Sequence, residues 1–283
     1  MSSLTSQPQQ SAEQHASAAL ANYLDDGHAL EEAISAFTRP VSSLVCNAVT
    51  DESSLEQPVQ DLWAAIISRA RTTPSSSSHQ DRLVTFLTHL KSSNVPGNSN
   101  PQLWGASLWA ELPMFGASMR EAWNSGPSND TNIPIRSEAL LTAKVDNGTS
   151  EWVNINAFAA RLTASRTADF SLYAIWTMRD ALETPAARTK NKTLDGHVQA
   201  GCAWIQYAGE YLYQCEESWE KDPRKGDPAR GGSLWEGKSG FCKERWSLWR
   251  ERIEELGKEK GLQEETRKAA TGAAERMRQL EGR

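Results

Sequence analysis

The stretch that decides the fold is DFSLYAIWTMRDALE, residues 169–183. Its nine residues 170–178 carry no charge, and the charged residues Arg179, Asp180 and Glu183 follow. A helix that crosses a membrane needs about 20 apolar residues, so this uncharged run is too short to do so. Apolar side chains would lie on nearly all sides of the helix, which is typical of a helix buried inside a globular domain. The stretch therefore predicts a core helix with a charged C-terminal end.

The same helical spacing of apolar residues recurs along most of the chain. Trp152, Phe158 and Leu162 fall on one face of a further helix, and Trp204 belongs to the apolar stripe of a helix over residues 194–219. The usual signals of a hairpin are alternating β-branched residues and an Asn-Gly turn between apolar strands, and we find neither. The sequence therefore predicts helices throughout.

Two local features modify this helical pattern. We expect Pro113 to break or kink the stretch 103–123 after Leu112, because proline removes a backbone donor and clashes with the preceding turn. Small residues such as Gly201 and Gly209 would let a neighbouring helix approach closely. The pattern predicts an all-α protein, a single irregular bundle or superhelix of about eight to ten helices with a Trp-rich core.

Composition divides the chain into three segments. Residues 1–10 are polar and are predicted to be disordered. Residues 11–256 are predicted to form the all-helical domain. Beyond Gly257 the stripe of large apolar residues ends, and Lys, Arg, Glu and Ala dominate. Residues 257–283 are therefore predicted to form a charged helical or frayed tail, an appendage rather than part of the core.

The charge balance argues against two classes of partner. The formal net charge is −6 and the isoelectric point is about 5.5. No block of Lys and Arg stands out, whereas binding to a phosphate backbone or to an anionic membrane surface needs clustered cations. We therefore expect neither a nucleic-acid nor a membrane partner. The polar N-terminus does not read as a secretory signal, so we expect a cytoplasmic or nuclear protein.

Tryptophan is the unusual feature of the composition, with 11 residues. These side chains either pack at helix crossings or line a pocket for a flat or apolar ligand. The charges beside the core stretch form either the polar floor of such a pocket or a buried ion pair, and Arg179 and Glu183 stand one helical turn apart. The candidate binding residues are Trp152, Phe158, Arg161, Trp176, Arg179, Glu183 and Trp204.

The sequence contains no motif of the common enzyme classes. It has no GxGxxG, GxxxxGK[ST], GxSxG or HExxH pattern. Its four cysteines do not follow the spacing of a zinc site. His197 and Cys202 are five residues apart and do not share a helix face, which disfavours a nucleophile or metal pair. We therefore expect no catalytic residue, no metal and no cofactor.

Four segments in order carry a resemblance to a known family. They are LWGASLWAELPMFG from residue 103, WVNINAFAARLTA from 152, YAIWTMRDALE from 173 and AGCAWIQYAGEYLY from 200. Over about residues 25–250 the chain resembles the fungal family known as domain of unknown function 3632. The resemblance implies a helical, intracellular fungal protein and brings no catalytic residues with it. Genes for such proteins can lie beside genes of secondary metabolism.

Two hypotheses for function follow. The first is a non-enzymatic protein-interaction or regulatory module that binds an unknown protein partner. The alternative is an accessory protein of secondary metabolism that binds or converts a hydrophobic metabolite in a Trp-lined cavity. The second hypothesis requires the candidate binding residues to converge on one hollow.

Overall fold

The computed structural model describes most of the chain. The described residues are 11–46, 52–92, 101–127, 138–185, 191–219, 221, 224 and 226–283. The backbone alone is described for residues 46, 138–148 and 191–193. Residues 1–10, which we predicted to be disordered, lie outside this part of the chain.

The predicted all-α class is confirmed. The described residues form ten α-helices and one two-stranded hairpin, and most of the tryptophans contribute to buried aromatic clusters. These elements belong to two compact units, one within residues 1–70 and 81–122 and the other within residues 71–80 and 123–283. The domain limits read from composition stay a prediction.

The first unit holds the N-terminal helices and the hairpin. Its elements are α1 (Ala12–Leu24), α2 (Leu30–Cys46), most of α3 (Ser53–Thr72) and α4 (Ser78–Ser92), β1 (Gln102–Leu103), β2 (Ala106–Ser107) and most of α5 (Phe115–Asn124). A capping box begins α1, because the Ser11 hydroxyl accepts from the Gln14 backbone and the Gln14 side chain accepts from the Ser11 backbone. In the core of the unit, the Phe37 ring meets the edge of Phe86 at 5.1 Å between centroids.

The hairpin differs from the helical pattern predicted for residues 103–123. Strands β1 and β2 pair antiparallel, with Leu103 opposite Ala106, and residues 104 and 105 form the turn. Helix α5 begins at Phe115, after Pro113, and the described residues 103–112 form no helix for the proline to break. The residues before the proline form turns rather than a helix, and the hairpin turn is Trp-Gly at residues 104–105 instead of the Asn-Gly pair that usually marks a hairpin.

The second unit is built around one long helix. Its helices are α6 (Glu138–Ala164), α7 (Ser171–Leu182), α8 (Asn191–Gln214), α9 (Lys243–Leu256) and α10 (Glu264–Glu281). Helix α8 contacts α6, α7 and α10, and α9 contacts both α7 and α10. The core of this unit therefore surrounds α8.

Helix α7 is the core helix that the decisive stretch predicts. Its buried residues occur on all sides of the helix: Ser171, Tyr173, Ala174, Ile175, Thr177, Met178, Ala181 and Leu182. Only its C-terminal end carries charge, and the residue that ends the helix, Glu183, is itself buried.

Small residues on α8 admit its neighbours, as the sequence predicted. A Cβ atom at Gly201 would lie 3.5 Å from the sulfur of Met178 on α7. A Cβ atom at Gly209 would lie 3.2 Å from the Leu280 Cδ1 atom on α10. Both glycines therefore allow close contact between helix backbones and neighbouring side chains.

Helix α10 corrects the interpretation of residues 257–283 as an appendage. The segment is helical, and α10 packs against α8 and α9. Its buried face is made mostly of small side chains: Thr266, Ala270, Ala273, Ala274, Met277 and Leu280. An alanine face lacks the large apolar residues that mark a core helix in a sequence, although it permits close helix packing.

None of the helices in the described part of the chain combines the length and apolar character needed to span a bilayer.

Candidate functional site

Asn156 on α6 organises the polar contacts inside the second unit. Its side-chain oxygen accepts hydrogen bonds from the Trp204 indole (2.9 Å), the Thr177 hydroxyl (2.9 Å) and the Trp123 indole (3.2 Å). Its Nδ2 atom donates to the Trp152 carbonyl at 2.9 Å. The side chain is fully buried, so these contacts replace water for every group involved.

An aromatic cluster lies beside this asparagine. The ring of Trp123 lies 5.1 Å from Trp152, 5.3 Å from Tyr173 and 5.4 Å from Trp176, measured between centroids. Tyr173 and Trp176 stack at 5.3 Å. The Trp176 indole donates to the Pro228 carbonyl at 2.7 Å. The structure therefore brings Trp152 and Trp176 together through ring packing against Trp123.

The other predicted aromatic residues lie in the core. Phe158 and Trp204 are both fully buried. The Trp204 indole is engaged by Asn156, as described above. The sequence correctly placed these side chains inside the protein, and their role in ligand binding stays a prediction.

The predicted ion pair between Arg179 and Glu183 is wrong. Glu183 instead pairs with Arg245 of α9, with 2.6 Å between the Arg245 Nε and Glu183 Oε1 atoms, and both side chains are fully buried. The Arg179 Nε atom lies 3.5 Å from the Asp180 Oδ1 atom, and the Arg179 side chain stays partly exposed. One-turn spacing on α7 suggested the first pairing, whereas the fold supplies a partner from another helix.

The buried pair is surrounded by further donors and acceptors. Glu183 also accepts from the Trp249 indole at 2.7 Å and from the Gly232 backbone at 2.7 Å. Arg245 donates to the carbonyls of Ala229 and Gly240, each at 2.9 Å, and to that of Arg230 at 3.3 Å. A buried pair is stable when its remaining polar atoms are satisfied in this way. Its contacts fasten residues 229–240 to α7 and α9.

Arg161 on α6 forms a second buried cationic site. Its Nη2 atom donates to the Ser75 carbonyl at 2.8 Å. Its guanidinium carbon lies 3.4 Å from the centroid of the Tyr207 ring, a cation–π contact between α6 and α8. Arg161 therefore fixes the Tyr207 ring, which faces the groove described next.

A groove of about 310 Å³ opens on the face formed by α6, α8 and α10. Small residues of α8 and α10 line much of it, and polar residues stand around them. The lining consists of Ser75, Val153, Gln199, Cys202, Ala203, Gln206, Tyr207, Glu265, Lys268, Ala269, Gly272 and Ala273. None of the seven predicted binding residues is among them, although Arg161 touches both Ser75 and Tyr207.

The groove does not present a reactive thiol. Burial raises the pKa of the Cys202 thiol to about 12, so this group stays protonated at neutral pH. The thiolate is the nucleophile and the metal ligand, so Cys202 acts as a small apolar residue here. Among the residues described, no group of three or more His, Cys, Asp or Glu side chains is arranged to hold a metal ion.

A family model described as a protein of unknown function (DUF3632) matches residues 63–253, more than half of the 283 residues. The chain belongs to this family. The match confirms the resemblance drawn from the four quoted segments. No curated protein and no solved structure matches the chain. The matched segment of this DUF3632 protein includes the hairpin and helix α8, whereas α10, which supplies one side of the groove, lies outside it.

Sequence reasoning missed three residues of this DUF3632 protein that organise its buried contacts. Asn156 had a local signal, because an asparagine on an otherwise apolar helix face needs a buried partner. Arg245 lies in a helix rich in charged residues, so its burial had no local signal. Tyr207 belongs to the apolar pattern of α8, and only the structure places Arg161 against its ring.

Proposed function

We propose that this DUF3632 protein is a non-enzymatic protein-interaction module whose groove holds a segment of a protein partner. The groove carries the proposal, because it offers about 310 Å³ of space and is open to solvent. A small-molecule site usually encloses about 70–90% of its ligand. A small molecule in this open groove would remain exposed on one side, whereas a protein partner would cover the groove with its own surface.

The lining suits a segment that carries apolar side chains between polar ones. Ala203, Ala269 and Ala273 leave room for a partner's apolar side chain in the groove. Gln206 and Lys268 are polar groups of the same lining that can bond a partner's backbone or an acidic side chain. An apolar centre within a polar rim is the usual composition of a protein–protein interface.

The buried polar groups of the unit also favour a module without catalysis. Asn156 is engaged by four neighbouring groups, and the Glu183–Arg245 pair is enclosed by backbone and indole contacts. These side chains bind one another and stabilise the fold. A catalytic acid, base or nucleophile would instead need an open reactive atom within reach of a substrate.

The second candidate is an accessory protein of secondary metabolism that binds or converts a hydrophobic metabolite. The volume of the groove favours it, because small-molecule sites begin at about 300 Å³. Such a metabolite would lie against Tyr207 and the alanines rather than against tryptophan. The same experiment distinguishes the two candidates.

The test fills the groove without disturbing the core. A Cβ atom at Gly272 would meet nothing within 4 Å, so a leucine there projects into the open groove. Gly116 on α5 is the matched control, since its Cβ would also meet nothing within 4 Å and it does not line the groove. Wild type, Gly272→Leu and Gly116→Leu proteins are captured from the native host and compared by native mass spectrometry.

The interaction module is supported if a protein partner binds wild type and Gly116→Leu at fixed stoichiometry and its binding to Gly272→Leu is reduced at least about tenfold. The reason is that contacts at the centre of an interface dominate its affinity. A small-molecule adduct with the same dependence supports the second candidate. A partner that binds Gly272→Leu as tightly as wild type contradicts the role of the groove.

A further inference from the structure

The hairpin of the first unit carries a tryptophan at an unfavourable turn position. Residues 104 and 105 form the two-residue turn between β1 and β2, and both have positive φ, +57° at Trp104 and +75° at Gly105. Positive φ at both central positions defines a type I′ turn, which favours Asn-Gly, Asp-Gly or Gly-Gly. A bulky residue at positive φ is a genuine outlier, so turn chemistry does not explain the presence of Trp104.

Burial does not explain this tryptophan either. Trp104 is 60% exposed, whereas Trp63 and Trp109 of the same unit are buried. A large aromatic ring stabilises a fold mainly by leaving water, and most of this ring stays in contact with water. A residue that fits neither the turn nor the core is a candidate for function, since backbone outliers concentrate at binding sites.

One carboxylate fixes the backbone of Trp104 and a second one fixes the exposed ring. The Trp104 backbone N–H donates to Glu52 Oε2 at 2.9 Å, and its indole N–H donates to Glu56 Oε1 at 3.0 Å. A side chain that is fixed before binding loses little conformational entropy when a partner arrives. Tryptophan is also among the residues that contribute most to binding energy at protein interfaces.

The segment that follows the hairpin is held rigidly as well. Leu112 and Met114 both have positive φ, and Pro113 lies between them. The Trp63 indole donates to the Pro113 carbonyl at 2.8 Å, and the Trp63 ring packs edge to face against Trp109. Trp63 therefore anchors the segment that follows the hairpin.

The charges around Trp104 specify the chemistry of the partner. Glu52 and Glu56 hold the tryptophan, and Glu111 accepts from the Ser107 backbone of β2 at 2.6 Å. Two carboxylates at the exposed indole, with a third bonded to the same hairpin, favour a cation, because an indole face attracts guanidinium groups and the carboxylates pair with them.

We propose that Trp104, Glu52 and Glu56 form a docking site for a basic segment of a partner protein, with an arginine side chain stacked on the Trp104 indole. The acidic surroundings exclude a nucleic-acid backbone as the occupant. This inference concerns the first unit and does not depend on the groove of the second unit.

The test uses a substitution that improves the turn while it removes the indole. Trp104→Asn creates the Asn-Gly sequence that type I′ turns prefer, so the variant should melt at the same temperature as wild type or higher. Leu234→Asn is the matched control, because Leu234 is the other exposed large apolar residue of the described chain. Glu56→Gln removes a charge but keeps an oxygen that can accept the indole hydrogen bond.

The probe is a capped Gly-Arg-Gly-Arg-Gly peptide, compared with peptides in which Lys, Gln or Glu replaces Arg. The indole ¹H–¹⁵N signal of Trp104 is assigned as the signal missing from Trp104→Asn and is followed during titration. We expect the arginine peptide to shift this signal to saturation, and the glutamate peptide to leave it unchanged. Isothermal titration calorimetry compares the variants, because the indole signal is absent from Trp104→Asn. Binding of the arginine peptide should weaken about tenfold in Trp104→Asn, as for an interface hot spot, and should not change in Leu234→Asn.

Three results would overturn the proposal. The first is an arginine peptide that shifts other signals and leaves the Trp104 indole unmoved. The second is a large loss of thermal stability in Trp104→Asn, which would make the indole a structural group. The third is concentration-dependent self-association that disappears in Trp104→Asn, which would identify the occupant as a second copy of the chain.

Discussion

Asn156 shows how one residue couples several parts of the second unit. Indole N–H groups from Trp123 and Trp204 and the hydroxyl of Thr177 all converge on its side-chain oxygen. Each of these donors would be costly to leave unpaired inside the protein. An asparagine is suited to this place because its amide also donates, here to the Trp152 carbonyl. The residue therefore specifies how α6, α7 and α8 meet.

Replacing Asn156 by leucine should destabilise the protein strongly. Leucine has a similar size but no polar atom, so three donors lose their acceptor: the buried Thr177 hydroxyl and Trp204 indole and the partly buried Trp123 indole. We expect a loss of at least about 3 kcal/mol in the free energy of unfolding, since an unsatisfied buried group costs about 1–3 kcal/mol. Urea denaturation followed by circular dichroism measures the change.

Asn154 on the same helix is the matched control. It is also buried, and its Nδ2 atom donates to the Arg71 carbonyl at 2.8 Å. Asn154→Leu should cost only about 1 kcal/mol, the usual value of one hydrogen bond. Equal losses in the two variants would contradict a special role for Asn156.

The predictions made for single residues succeeded where the signal was local. Burial of Phe158 and Trp204 follows from their positions on apolar helix faces. The predicted pairing of Glu183 with Arg179 was wrong, because the actual partner of Glu183 is Arg245, which lies 62 residues away along the chain. Spacing within one helix reveals neighbours on that helix, and a contact between distant helices requires their arrangement in space.

At the scale of elements, the sequence predicted helices with large apolar stripes and missed the exceptions. Helix α7 was recognised from its uncharged run. The packing of α10 was missed because small residues such as Ala270 and Ala274 form most of its buried face. The hairpin was missed because Trp104 occupies a turn position that Asn usually fills. In both cases an unusual residue type hides the element: alanines replace the large apolar residues of a helix face in α10, and a tryptophan replaces the usual asparagine in the hairpin turn.

Two helical glycines allow a test of how closely α8 and α10 pack. Gly272 faces open space, and a Cβ atom at Gly209 would lie 3.2 Å from Leu280. Alanine in place of glycine stabilises a helix interior by about 1 kcal/mol. We expect Gly272→Ala to show this gain and Gly209→Ala to show less or none, because Leu280 must move. Thermal and urea unfolding measure both variants.

Shortening the neighbour supplies the control for this pair. In a Leu280→Ala background the crowding at position 209 is gone, so Gly209→Ala should recover the gain that Gly272→Ala shows. The effect of Gly272→Ala should not depend on Leu280. If Gly209→Ala stabilises wild type as much as Gly272→Ala does, the two helices are not tightly packed there.

At the scale of the whole molecule, both candidate surfaces extend beyond the residues that match the DUF3632 family. The Trp104 hairpin and helix α8 lie inside the matched residues 63–253, and α10 lies outside them. The net charge of −6 agrees with a basic partner for the site formed by Trp104, Glu52 and Glu56. Each surface thus combines residues inside the match with residues beyond it: the docking site needs Glu52 and Glu56, and the groove needs α10.

The stability of the whole molecule should fall in mild acid because of His197 on α8. Burial lowers the pKa of His197 below its ordinary value of 6.5, and the charge of Asp180 opposes part of this effect. Its ring meets the edge of Trp152, and its Nδ1 atom is buried without a hydrogen-bond partner in the described part of the chain. The folded protein therefore resists protonation, whereas the unfolded chain accepts the proton.

The contribution of the neutral His197 ring to the free energy of unfolding is consequently complete above a pH of about 6.5. It is lost as the pH falls, at up to about 1.4 kcal/mol per pH unit. Urea unfolding at several pH values between 5 and 8 measures the slope. His197→Gln should flatten it, and the same change at the exposed His15 should not. Asp180→Asn should make the loss steeper, because it removes the charge that favours the protonated ring. An unchanged slope in His197→Gln would assign the acid sensitivity of the protein to other groups.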